Sequence, residues 1–261
     1  MFCNYDLCFK TPQKKWIYVP SNECRSKGQE FCELILKKWS PPSYFYHFRS
    51  GGHIAALKYH QNKKYFAKLD IQRFFPNITK SKLFRALKSI RISPNQSQRI
   101  AKWSSVKSKE NPAQRILPYG FVQSQLIAAV CMDVSALGKA FRNLPPDIKI
   151  SVYVDDIIIS GNNKKNLQKA YKFLISAAAQ ANFLINETKS HPPQIRTSAF
   201  NIDFEKSQMK ISEERFDEFL GEISLINDKK TEAIISYVDQ VSSSQAEILN
   251  NVLTEMSTRA P

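Results

Sequence analysis

Apolar positions recur along this chain at two spacings, and the switches between them mark out alternating helices and strands. Residues 29–39 (QEFCELILKKW) place Phe31, Leu34, Ile35 and Trp39 at helical intervals before Pro41-Pro42, which predicts a short amphipathic helix. Residues 64–70 (KYFAKLD) read as a strand that runs into an acid, and Thr79 is placed to cap a following helix. Further helices are predicted over 94–106 and after Gly120, the second with Leu126, Ile127, Val130, Val134 and Leu137 on one side. After Pro145-Pro146 the run IKISVYVDDIIISGNN splits into two β-rich halves hinged on Asp155-Asp156, the pattern of a hairpin with two carboxylates at its tip. Residues 164–182 predict a helix and 194–211 a short strand pair. From Ser212 the pattern is helical again, opened by Glu213 and Glu214.

This mixture is of the α+β class. With 261 residues and 43% hydrophobic content the chain can bury a real core, and with 7 glycines and no repeat it reads as continuous folded chain. The balance of 38 Lys and Arg against 23 Asp and Glu gives a formal charge of +15, which favours phosphate polymers as partners and makes their binding salt-sensitive. No run of 18 apolar residues occurs, and MFCNYDLCFK lacks the basic flank and apolar stretch of a secretion signal, so a cytoplasmic protein without membrane contact is expected. Cys3, Cys8, Cys24, Cys32 and Cys131 form no CxxC pair and are odd in number, which argues against a zinc knuckle or a disulfide framework.

The chemistry is carried by acids at strand ends. If the strand ending in Asp70 lies beside the hairpin that carries Asp155-Asp156, the carboxylates can hold two hard divalent cations, as phosphoryl transfer requires. An acidic pair is by itself an ordinary polar turn. Here, however, Ile150, Val152, Val154, Ile157, Ile158 and Ile159 bracket the acids with core-like side chains, and charge in such surroundings is costly unless a cation compensates it.

These residues resemble the motifs of reverse transcriptases. Tyr153-Val154-Asp155-Asp156 resembles YxDD, and the stretch from Leu69 to Ile78 (LDIQRFFPNI) resembles the first acidic motif as found in retrons, group II introns and bacterial defence enzymes. Leu117 to Ser124 (LPYGFVQS) resembles the loop and helix usually reading LPQGxxxS, and Asn186-Glu187-Thr188-Lys189 the later lysine motif. Earlier, Lys14 to Pro20 resembles the fingers segment that grips the triphosphate, and Phe48 to His53 the segment leading into the first acid, so the likeness spans roughly residues 10–211.

The resemblance implies a right hand: an antiparallel-sheet palm (64–79 and 114–211), small fingers (1–63 and 80–113) and a reduced helical thumb (212–261). It implies Asp70 and Asp155 as principal metal ligands with the Ile71 carbonyl, Asp156 in support, and two Mg2+ ions, Mn2+ being a possible substitute. Lys14, Lys15 and Arg49 would face the triphosphate, Lys189 would serve departing pyrophosphate, and Tyr119 and Gly120 would lie at the nucleotide. Phe75 would gate the sugar in favour of deoxynucleotides, a plain core Phe being the alternative. Ser124 reads as a helix cap. The implied reaction is RNA-directed DNA synthesis from dNTPs, in a retron or antiphage defence setting with a noncoding RNA. Because the thumb is short, a partner protein, a structured RNA or a homo-oligomer would supply missing grip. Tyr119 stands where the family has Gln, Gln125 where it has Pro, and Lys15 where it commonly has Arg; these leave open a template-independent or protein-primed polymerase, besides an inactive nucleic-acid-binding module. The rings of Tyr44-Phe45-Tyr46-His47-Phe48 beside Arg49 suit either base stacking or core packing.

Overall fold

In the computed structural model, residues 3–223 and 228–259 are described. The chain opens with an antiparallel hairpin, β1 (Tyr5–Lys10) and β2 (Trp16–Pro20), followed by α1 (Asn22–Leu36) and α2 (Gly52–His60). Next come β3 (Tyr65–Asp70), the helix pair α3 (Lys80–Ser89) and α4 (Pro94–Trp103), and a two-residue ribbon of β4 (Val106–Lys107) with β5 (Arg115–Ile116). Helices α5 (Ser124–Asp133) and α6 (Ala136–Arg142) lead to the hairpin β6 (Lys149–Tyr153) and β7 (Asp156–Gly161), then α7 (Lys164–Gln180). Four short strands follow, β8 (His191–Gln194), β9 (Arg196–Ala199), β10 (Ile202–Glu205) and β11 (Gln208–Ile211), before α8 (Glu213–Ile223), α9 (Asp228–Val241) and α10 (Ser243–Arg259).

The centre is an antiparallel sheet of order β6-β7-β3-β8. Alternate residues of a strand face opposite sides, and here both sides are covered. Ala67, Leu69, Val152, Ile157 and Ile159 enter the large core shared with α1, α3, α5, α6 and α7. Phe66 and Ile158 enter a second core with α2, the β9–β11 sheet and the C-terminal helices. That double covering is why the hairpin reads as an unbroken apolar run around its acids.

The boundaries depart from expectation in several places. Helix α1 begins at Asn22, capped by the Ser21 hydroxyl, and ends at Leu36, so Trp39 lies beyond it instead of within a 29–39 helix. Helix α4 stops at Trp103, and residues 105–106 turn into buried loop and strand. The helix expected after Gly120 is two helices bent by 69°, because Ser135 caps a new one through Leu137 N–H. Residues 194–211 form a three-stranded sheet in place of a strand pair, and β8 joins the central sheet. Its Pro192 and Pro193 are tolerated because β8 is an edge strand. The helical reading from Ser212 holds over α8, α9 and α10, while 224–227 and 260–261 lie outside the described residues. Among the described residues no single helix is long and apolar enough to cross a membrane.

Candidate active site

The register of β3 on β7 pairs Asp70 with Asp156, and that of β6 on β7 pairs Tyr153 with Asp156, which leaves Val154 and Asp155 as a two-residue tip. Val154 has a left-handed backbone (φ 59°), the conformation such tight hairpin tips need. The Asp155 carbonyl accepts from Ile71 N–H at 3.2 Å, so the tip is fastened to the residue after Asp70. The loop after α7 fastens Asp70 from the other side: Asp70 N–H donates to Ser190 Oγ (2.9 Å) and its carbonyl accepts from Asn186 N–H (2.9 Å). Those bonds bring Lys189 to the same place.

The roof is the β1–β2 hairpin. Tyr18 N–H donates to the Tyr119 carbonyl at 3.0 Å, and Ile17 bridges Tyr119 in parallel. This approach needs Gly120, whose φ is +102° and where a Cβ would lie 2.3 Å from the Tyr18 carbonyl oxygen. The hairpin turn, closed by Lys14 N–H on the Thr11 carbonyl (2.8 Å), then lies over Asp70 and Asp155. Between roof and sheet is a cavity of about 300 Å³ whose walls include Lys14, Lys15, Arg73, Lys109 and Lys189 as cations and Asp70, Asp155 and Glu110 as acids. Arg73 is ion-paired with Glu110, and the Lys15 ammonium sits 5.6 Å from the centre of the Tyr119 ring.

Burial, and then the neighbouring Asp156, push the Asp155 carboxyl up to about 6, with Lys15 opposing. Burial also raises Asp156, against the pull of Lys68, whose Nζ is 3.1 Å from its Oδ1. Burial and the charge of Asp155 raise the Tyr119 hydroxyl to about 12, so it remains a neutral hydrogen-bonding group. A carboxyl held that high is one that a cation would return to its charged form. Among the described residues no three His, Cys, Asp or Glu side chains form a preformed metal cage. Two carboxylates on one cavity do suit Mg2+, which binds through one or two carboxylates and completes its shell with water and substrate phosphates.

Of the residues singled out from sequence, Lys14, Lys15, Asp70, Ile71, Tyr119, Asp155 and Lys189 line this cavity. Four do not. Arg49 donates to the Ser43 carbonyl (2.7 Å) and stacks on Tyr46, which takes it away from the triphosphate position expected of it. Asp156 is turned to Lys68, Gly120 serves the backbone approach, and Phe75 is buried behind the wall, its ring 4.8 Å from that of Tyr119. Ser124 does not cap its helix: the cap position is Gln123, and Ser124 Oγ is buried without a hydrogen bond among the described residues. Arg73, Lys109 and Glu110 were not singled out, since one more charge in so basic a chain carries no local signal. Of the aromatic run at 44–48, Phe45 and Tyr46 are core and Phe48 is exposed, so core packing accounts for most of it.

A family model described as "Reverse transcriptase (RNA-dependent DNA polymerase)" matches residues 27–234. The retron Ec86 reverse transcriptase of Escherichia coli is 25% identical over 229 residues, covering 84% of this chain and 68% of that protein. Among solved structures, a foamy viral protease-reverse transcriptase in complex with double-stranded DNA superposes with a TM-score of 0.55 at 17% identity over 96% of this chain. Apo telomerase from Candida tropicalis does so with 0.52 at 14% identity over 77%. This chain spans 38% of the first and 46% of the second, and at such identities the likeness is one of fold.

Proposed function

Because the chain belongs to the reverse transcriptase family, an RNA-dependent DNA polymerase family, we propose that it copies RNA into DNA by adding dNTPs to a 3′-hydroxyl. The observation that carries the reading is the convergence of Asp70 and Asp155 on one cavity walled by Lys14, Lys15, Arg73 and Lys189. In this reading residues 64–79 and 114–211 are the palm, 1–63 and 80–113 the fingers, and 212–261 the thumb. Asp70, Asp155 and the Ile71 carbonyl would hold two Mg2+ ions, for which Mn2+ could substitute, and these would acidify the attacking hydroxyl and neutralise the triphosphate. Lys15 and Arg73 orient the phosphates, and Lys189, fixed near Asp70 by the Asn186 and Ser190 bonds, offers a proton or a charge to departing pyrophosphate. Tyr119, backed by the ring of Phe75, presses on the sugar and disfavours a 2′-hydroxyl.

Nucleic acid reaches beyond the cavity. From Thr79 to Lys109, nine Lys or Arg residues occur with no Asp or Glu, along the α3–α4 pair and the segment after it, a density of positive charge suited to phosphate backbones. The likeness to a retron enzyme supports a noncoding RNA as template and a role in bacterial antiphage defence, and five free cysteines suit a reducing compartment such as the cytoplasm. A template-independent polymerase is the second reading, favoured by Tyr119 on the cavity wall where the family has Gln. Primer extension with dNTPs on a defined RNA, with product sequencing, separates the two. Products complementary to the RNA support templated synthesis, products unrelated to it support the second reading, and the absence of products contradicts both.

A further inference from the structure

The segment Tyr44–Phe48, rich in rings, is a brace for the acidic hairpin. Phe45 bridges Val152 in parallel, and the Tyr44 carbonyl accepts from Val152 N–H at 2.7 Å, so the segment runs along the outer edge of β6. It is anchored firmly: Phe45 is fully buried, Tyr44 Oη donates to Asp133 Oδ1 at 2.6 Å, and Trp39 Nε1 donates to Asp133 Oδ2 at 2.8 Å. The anchoring carries His47 to the hairpin tip. There its Nδ1 accepts from Val154 N–H at 3.1 Å.

That bond sits where the hairpin is most strained. Val154 is β-branched and holds φ 59°, a conformation that costs such a residue on the order of 1–3 kcal/mol and persists only where the surroundings over-determine it. Strand pairing ends at Tyr153 and Asp156, so the sheet gives the Val154 amide no partner. His47 supplies it on one side of the tip, and Ile71 N–H holds the Asp155 carbonyl on the other. We propose that His47 is a positioning residue for the polymerase reaction: by accepting from Val154 N–H it holds the left-handed turn that presents the Asp155 carboxylate to the cavity. The role of the turn in catalysis rests on the function proposed above; the brace itself is a statement about backbone. Accepting from an N–H requires an unprotonated Nδ1, and burial, which pulls this imidazole down to about 4 against the Val152 carbonyl, keeps it so. Its Nε2 is buried without a hydrogen bond among the described residues, which leaves Nδ1 as the nitrogen that engages the hairpin.

The test compares His47→Leu, which fills space without an acceptor, with His47→Asn, whose Oδ1 replaces Nδ1, each with and without Val154→Gly. Glycine adopts positive φ at no steric cost, so it removes the need for a brace. Amide hydrogen exchange of segment 153–156 and steady-state dNTP incorporation are both read, after thermal melts establish folding. The brace predicts faster exchange in His47→Leu, kcat lowered about tenfold or more with KM for dNTP nearly unchanged, and recovery in His47→Asn. It also predicts that His47→Leu costs less than about threefold in the Val154→Gly background. Exchange unchanged in His47→Leu, equal losses for Leu and Asn, or an undiminished loss beside Val154→Gly overturns it. A wild-type chain that incorporates no nucleotide overturns the polymerase reading, and the exchange comparison then decides the brace alone.

Discussion

The Nζ of Lys68, on the strand that ends in Asp70, lies 3.1 Å from Oδ1 of Asp156 on the neighbouring strand β7. Lys68, Asp70 and Asp156 share one face of the sheet, since residues two apart on a strand and residues paired across it point the same way. The three acids differ in their surroundings: Asp70 and Asp155 line the cavity, while Asp156 is ion-paired with Lys68.

A graded response to amide substitution follows. Asp70→Asn and Asp155→Asn each remove a cavity-facing carboxylate oxygen and, if the proposed reaction holds, are expected to lower kcat by about 10³-fold or more. Asp156→Asn, whose partner is a lysine, is expected to cost only about 10- to 100-fold. Single-turnover incorporation by the three variants measures the order.

Asp155 also links stability to pH. Its folded pKa, raised from 3.8 to about 6, means that the folded chain binds this proton more tightly than the unfolded chain does. Stability from this group is therefore greatest below pH 3.8 and is lost as pH rises from there through about 6. Without divalent metal, Asp155→Asn is expected to be more stable than wild type at pH 7.5 by on the order of 1–3 kcal/mol, reduced by what solvent reaches the carboxylate. The difference should shrink towards pH 4. Thermal melts at both values check this.

The cavity cations should separate from the basic background. Lys15→Ala and Arg73→Ala are expected to raise KM for dNTP by about 10- to 100-fold, the worth of one charge-assisted hydrogen bond. Arg49→Ala, which loses only the Ser43 and Tyr46 contacts, should leave KM within about twofold. Steady-state kinetics at fixed ionic strength distinguish these cases.

Gly120→Ala would put a methyl group 2.3 Å from the Tyr18 carbonyl oxygen at φ +102°. The roof must lift, at an expected loss of about 2–4 kcal/mol and a fall in Tm of about 5–15 °C. KM for dNTP should rise with it, because Lys14 and Lys15 travel with β2.

What the sequence disclosed and what it hid have physical causes. The strand to Asp70 and the hairpin were plain because both faces of those strands are buried and their apolar runs are unbroken. The start of α1 was hidden because its buried face begins with Cys24 and Gly28, neither of which reads as a helical stripe; Gly28 is small because Gln123 Oε1 would lie 2.4 Å from a Cβ there. The break between α5 and α6 had only Ser135 as a signal, within apolar sequence that suits a continuous helix. Arg49 carried a motif likeness yet folds onto Tyr46, whereas Arg73, with φ 53°, reaches the cavity from a motif in which it drew no notice. His47 lay in a run of rings that suited either base stacking or core packing, and only the register of Phe45 on Val152 revealed its contact with the hairpin tip.

In the proposed reaction Asp70 and Asp155 together hold the catalytic cations. Anomalous diffraction from crystals grown with Mn2+ and a non-hydrolysable dNTP analogue tests it most directly. Two Mn2+ peaks are expected about 3.5–4 Å apart, each within ligand distance of Asp70 or Asp155, with the triphosphate under Lys15 and Arg73. Mn2+ bound elsewhere, or a triphosphate seated away from both carboxylates, would contradict it.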